Sequence, residues 1–136
     1  MLVRLGLLVI LLLMVASPVA AQHQSQVGTP WWATTLAVAG PLADGASTVY
    51  AMRQPGVVEG NPVFYHLFGS DVTSGEIMAF KVGQAVLVGT VVHYAGKRNR
   101  KAAIGVAVAT FAINAVAVGI NLRAARSAQL SGRVSR

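Results

Sequence analysis

The chain has no cysteine and little charge. Without a thiol there is no disulfide framework, no thiolate nucleophile and no cysteine metal site. Only 11% of its 136 residues are charged, against about 25% in ordinary soluble domains. Acid is scarcest of all, with 4 Asp and Glu against 11 Lys and Arg. His23, His66 and His93 lie far apart in sequence and offer no metal-ligand spacing, so no metal and no other cofactor is expected. What is abundant is apolar: 54% hydrophobic residues and a mean hydropathy of +0.60. That profile is far from a soluble domain and fits an all-α integral membrane bundle.

The net charge of +7 does not point to nucleic acid. Lys97, Arg98, Arg100 and Lys101 form one cluster, and Arg123, Arg126, Arg133 and Arg136 dot the tail, so basic residues flank apolar runs. Nucleic-acid binding asks instead for a basic face interleaved with stacking aromatics. Flanking charge is how membrane topology is set.

Four apolar segments follow one another. In the first, Arg4 precedes an apolar core from Leu5 to Ala16, then Pro18 and the small residues Val19 and Ala21. This is the anatomy of a signal peptide over residues 1–21, cleaved after Ala21. If uncleaved, Leu5 to Ala21 would be an anchor near the lower limit of about 17 residues for a spanning helix. Residues 22–29 are a polar linker. A first transmembrane helix is expected over 30–53, with Thr29 as N-cap, Pro30 at the first helical position and Trp31-Trp32 as an interfacial anchor. Gly40-Pro41 predicts a kink midway. Residues 54–73 form a connection: Gln54-Pro55-Gly56 is turn chemistry, and Asn61-Pro62 opens a short aromatic, interface-lying helix over 62–68, stopped by Gly69. Thr73 and Glu76 read as the capping box of a second transmembrane helix over 74–95, whose far end carries His93 and Tyr94 as interface anchors. The basic turn 96–101 makes this helix an antiparallel neighbour of a third over 102–122. Residues 123–136 are expected to be a disordered basic tail. There is no internal repeat.

Three transmembrane helices after a signal peptide place the chain in the bacterial inner membrane as a multi-pass protein. Gln22 is expected outside and the C-terminus inside, an orientation that rests on the signal segment because loop charges nearly balance. The lipid bilayer is then the first partner. Anionic lipid head groups suit Lys97, Arg98, Arg100 and Lys101, at about 1 kcal/mol per basic residue near a charged surface, and the same reading extends to the tail arginines. Gly105 with Ala109, and Ala115 with Gly119, have the small-xxx-small spacing that admits a second copy or another membrane protein.

Asp44 and Lys81 interrupt two of these apolar helices. Each would cost about 2.5 to 3.5 kcal/mol at a bilayer centre, so each marks a functional or architectural site. Counting along the helices, Asp44 lies roughly 13 Å and Lys81 roughly 10 Å from the connection they share. Antiparallel packing therefore brings them to similar depth, where an ion pair offsets much of the burial cost. Ser47 and Thr48 share the face of Asp44, and Gln84 shares that of Lys81. Glu59 is expected to pair with Arg53 or to reach toward Lys81, Asn61 to cap the helix that Pro62 opens, and His66 to be an interfacial residue. Thr110, Asn114, Ala117 and Asn121 form an inward helix-packing stripe.

The order Asp44-x-x-Ser47-Thr48, Gly56-x-x-Glu59-x-Asn61-Pro62 and an intramembrane Lys81 resembles an uncharacterised family of small prokaryotic multi-pass membrane proteins, a domain of unknown function. The likeness runs roughly from Leu36 to Leu122. It implies no activity, but it implies that Asp44, Thr48, Glu59, Asn61, Pro62 and Lys81 belong to one site. Three roles compete. One is a non-enzymatic component acting through partners or lipid, in which the Asp44–Lys81 pair fixes helix register. Another is a transporter or ion-conducting subunit in which that pair exchanges partners. The weakest is an intramembrane hydrolase using Asp44, Glu59 or His66, for which no catalytic spacing is present.

Overall fold

The computed structural model describes residues 28–69 and 71–134. The expected signal peptide and most of the linker after it lie outside the described residues. Within them the chain is all-helical, with α1 at Trp31–Met52, α2 at Pro62–Phe68, α3 at Ser74–Gly96 and α4 at Arg100–Val134. Two of these, α3 and α4, are long and apolar enough to cross a membrane.

Local chemistry sets most boundaries. Thr73 Oγ1 accepts from the Glu76 amide at 3.2 Å while the Glu76 carboxylate accepts from the Thr73 amide at 2.7 Å, the reciprocal box that satisfies two orphan donors of a helix start. Asn61 Oδ1 accepts from the Val63 amide at 2.9 Å, and α2 ends at Gly69, whose φ of +83° is left-handed backbone that favours glycine. Asn99 Oδ1 accepts from the Ala102 amide at 3.0 Å, so α4 starts two residues earlier than the sequence suggests, inside the basic turn.

Two expectations are corrected at the ends of the bundle. Thr29 does not cap α1. Pro30 holds the N-cap position without a side-chain bond, and Thr29 Oγ1 donates to the carbonyls of Val92 at 2.8 Å and His93 at 3.2 Å on α3. The last turn of a helix has carbonyls to spare, and the hydroxyl answers them. The tail is not disordered over its described part either, because α4 continues to Val134 as a 35-residue helix. Ala124, Ala125 and Ala128 are strong helix formers, and Gln129 ties the extension back to α1: its Nε2 donates to Tyr50 Oη and to Gln54 Oε1, each at 3.2 Å.

α1 is the hub. It packs most extensively on α4, which runs parallel to it, then on antiparallel α3, with α3 and α4 sharing the smallest interface. One end of the bundle has a core of small apolar residues, Ala33, Ala37, Val92, Ala103 and Ala107. Such side chains let backbones approach closely, and Gly96 takes this furthest. A Cβ there would collide with Thr29, lying 3.0 Å from its Cα. The opposite end holds the buried polar residues.

Gly96→Ala should therefore destabilise the fold by about 1–3 kcal/mol, the usual cost of overpacking. Gly83→Ala, whose new methyl meets nothing within 4 Å, should be neutral or stabilising by up to about 1 kcal/mol through helix propensity. Unfolding midpoints of the two variants against the parent sequence check this; equal midpoints would mean that the Thr29–Gly96 contact does not set helix spacing.

Candidate functional site

Asp44, on α1, and Lys81, on α3, face each other in the interior, each only 6% exposed. Lys81 Nζ lies 2.5 Å from Asp44 Oδ2, a charge-assisted bond at the short end of its class. The lysine stem reaches the carboxylate by crossing α1 at Gly45, where a Cβ would sit 3.0 Å from Lys81 Cβ and Cγ.

The other carboxylate oxygen is held from α4. The two hydrogens of Asn121 Nδ2 are shared among Asp44 Oδ1 at 3.2 Å, Ser47 Oγ at 3.0 Å and Thr48 Oγ1 at 2.9 Å. Both hydroxyls have already donated their protons to the backbone carbonyl of Asp44, each at 2.9 Å. Their lone pairs are what remains for Asn121. Three helices thus meet in one polar knot. Its members are Asp44, Ser47 and Thr48 from α1, Lys81 from α3 and Asn121 from α4.

The connection supplies a lid. Phe64 of α2 is 1% exposed, its ring lies edge-on to Phe80 with centroids 5.2 Å apart, and Lys81 Nζ is 5.7 Å from the Phe64 centroid. That is within cation–π range. Phe80 immediately precedes Lys81, so the aromatic contact that seats α2 also covers the ammonium.

Other expected members of the site stand apart. Glu59 pairs with neither Arg53 nor Lys81; its Oε1 accepts from the Asn61 amide at 2.7 Å, bracing the turn in which Asn61 caps and Pro62 begins α2. Its Oε2 is buried with no partner among the described residues. The same holds for Gln84 Oε1, so Gln84 lies along the helix from Lys81 without bonding to the knot. Asn114 is buried, but its Nδ2 donates to Thr110 of its own helix at 2.7 Å, and its Cβ packs against Gly40. His66 is exposed on α2. At the far end of the bundle Lys97 Nζ sits 4.6 Å from the Tyr94 ring centroid.

The sequence places Asn121 in a packing stripe and says nothing of its bond to Asp44. The missing signal is the parallel packing of α1 on α4, two helices separated by a whole hairpin. Phe64 over Lys81 is missed for a similar reason, since nothing in the spacing says which way a seven-residue helix folds back. No family model, curated protein or solved structure matches the chain.

Asn121→Leu keeps the volume and removes the donor. Losing bonds to a carboxylate should cost about 1.5–3 kcal/mol, while Asn114→Leu, which breaks a bond within its own helix, should cost less. Unfolding midpoints measured in parallel decide it. Equal losses would show that Asn121 contributes packing alone.

Proposed function

We propose that this chain is a three-span membrane protein whose Asp44–Lys81–Asn121 knot fixes the register of the bundle, and that it acts without catalysis, through lipid or protein partners on its outer faces. The observation that carries the reading is the closed ion pair at 2.5 Å with its third-helix donor. A carboxylate and an ammonium that satisfy each other have a structural explanation, and buried polar groups are best attested as register devices.

Polarity supports the membrane setting. Val82, Val86, Leu87, Ile113, Val116 and Ile120 face outward while Asp44, Lys81 and Asn114 face inward, the reverse of a soluble bundle. Aromatic residues rim both ends, with Trp31, Trp32 and Tyr94 at one and Tyr50 and Tyr65 at the other, all exposed. Trp and Tyr favour headgroup depth. From Trp31 to Tyr50 is nineteen residues, about 28 Å of helix, close to the roughly 30 Å of a hydrocarbon core. By that measure α1 is the third span although its own hydropathy is lower, because its polar residues point at α3 and α4 rather than at lipid. Multi-pass insertion in the bacterial inner membrane, behind a signal peptide, belongs to the same reading.

A second reading has one observation in its favour. Gln84 Oε1, three residues along α3 from Lys81, is a buried acceptor with no partner among the described residues, so an alternative station for the ammonium exists on the same helix face. In a conducting subunit Lys81 would leave Asp44 for that station as a proton or ion passes.

A charge cycle separates the two. For a register device, Asp44→Asn and Lys81→Met alone should each cost about 3–5 kcal/mol, as removal of one partner of a buried pair does, and the double variant should recover most of the folded yield. Folded yield from membranes, with an unfolding midpoint for each variant, is the measurement. Single variants of normal yield would sink the register role. A well-folded double variant that abolishes proton or ion flux across reconstituted vesicles would move the assignment to conduction.

A further inference from the structure

A cleft of about 470 Å³ lies along α4 from Gly119 to Gln129, beside Tyr50 near the end of α1. Its apolar lining is Gly119, Leu122 and the buried Ala125, and its polar lining is Tyr50, Arg123, Arg126 and Gln129. The end is fixed in place, because Gln129 bridges Tyr50 of α1 and Gln54 of the connection that follows it. The space beside Gly119 is open, since a Cβ there meets nothing within 4 Å.

The two guanidiniums stand three residues apart on one helix face, and no acid among the described residues pairs with them. The chain has four acidic residues. Asp44 is held by Lys81, Glu59 by the Asn61 amide and Glu76 by Thr73; Asp71, exposed ahead of α3, pairs with neither arginine, and Asp44–Lys81 is the only ion pair among the described residues. Among the described residues no acid supplies the counter-charge for Arg123 or Arg126. Planar guanidinium forks fit phosphate oxygens in bidentate fashion. Tyr50, on the rim beside them, is a residue that settles at headgroup depth.

We infer that this cleft is a stoichiometric site for one anionic phospholipid, the phosphate held by Arg123 and Arg126 and an acyl chain lying along Gly119 and Leu122. The inference rests on the membrane reading above and goes beyond it, from diffuse attraction of lipid to basic residues to a single site with an apolar floor. Charge complementarity selects the head group, and the apolar wall selects a lipid over a free anion.

The test uses the full chain purified in non-ionic detergent and titrated with phosphatidylglycerol, bound lipids being counted by native mass spectrometry. One phosphatidylglycerol should be retained per chain. R123Q/R126Q should weaken it roughly 30-fold, since each basic residue near an anionic head group is worth about one kcal/mol and tenfold corresponds to about 1.4. K97Q/R98Q removes the same charge at the other end and should leave this affinity nearly unchanged. Gly119→Leu fills the apolar wall without altering charge and should also weaken binding. Equal losses in the two double variants would mean diffuse attraction and overturn the site, as would phosphatidylcholine binding as tightly as phosphatidylglycerol. Inorganic phosphate displacing the lipid at similar concentration would make it an anion site and overturn the lipid assignment. The membrane reading fails separately, in a chain that does not float with phosphatidylcholine vesicles. Circular dichroism of each variant shows whether the helices are retained, so a loss of binding with helicity intact counts as loss of the site.

Discussion

A carboxylate withdrawn from water has to be answered by charge and by donors, and the arrangement around Asp44 follows from that requirement. Lys81 supplies the charge, and its stem reaches Asp44 only because residue 45 of α1 has no side chain. The second carboxylate oxygen needs a donor from elsewhere, and α4 brings Asn121. With the Ser47 and Thr48 hydroxyl protons already given to the Asp44 carbonyl, only acceptors face α4. Asn121 must therefore present its amino end. The opposite orientation would set its carbonyl oxygen against three other oxygens, so the network itself fixes an assignment that side-chain amides otherwise leave ambiguous.

The same requirement accounts for the composition and position of α1. A helix that carries Asp44, Ser47 and Thr48 needs partners on two sides, and it is the one that packs on both of the others. Asp44, Ser47 and Thr48 are spent inward, leaving an outer surface of Trp31, Trp32, Thr35, Ala43, Ala46 and Tyr50. α3 and α4 show the complementary pattern, apolar outside and contributing one polar side chain each to the knot. Hydropathy averaged along a helix cannot separate these cases, because it does not know which face a residue is on. Of the three long helices, the one that does not reach the hydropathy of a span, α1, is also the most enclosed.

Much of the bundle was legible in sequence where the determinant is local. The Thr73–Glu76 box and the Asn61-Pro62 start act over three residues, and the structure contains both. The meeting of Asp44 with Lys81 was also legible, since a helical rise and a short connection suffice to match their depths. What failed was non-local or competitive. Thr29 has the chemistry of a cap, but two α3 carbonyls compete for its hydroxyl. Glu59 has the charge to seek Arg53 or Lys81, but the Asn61 amide is two residues away and wins. Asn121 joins Asp44 across 77 positions of chain, through a parallel contact that no hairpin rule anticipates. Residues 123–134 looked like a polar tail by composition. Their helix persists because alanine spacing and the Gln129 bridge to α1 supply what hydropathy did not.

The short helix α2 is the element whose role changes most once the contacts are known. An aromatic segment lying at an interface would serve only to connect α1 to α3, yet Phe64 is among the largest fully buried side chains in the molecule, and it lies over Lys81. Attraction between opposite charges 4 Å apart is worth about 1 kcal/mol in bulk water and about 4 kcal/mol at the effective dielectric of a protein site. An ion pair near the end of a bundle keeps the larger value only if water is kept away. Gly69 stops α2, and the Phe64–Phe68–Phe80 cluster turns it back onto α3, directly above the pair. The seven residues of α2 thus belong to the electrostatics of the core. Glu59 and Asn61 take part at one remove, since the turn they brace sets where Pro62 begins the helix and so where Phe64 lands.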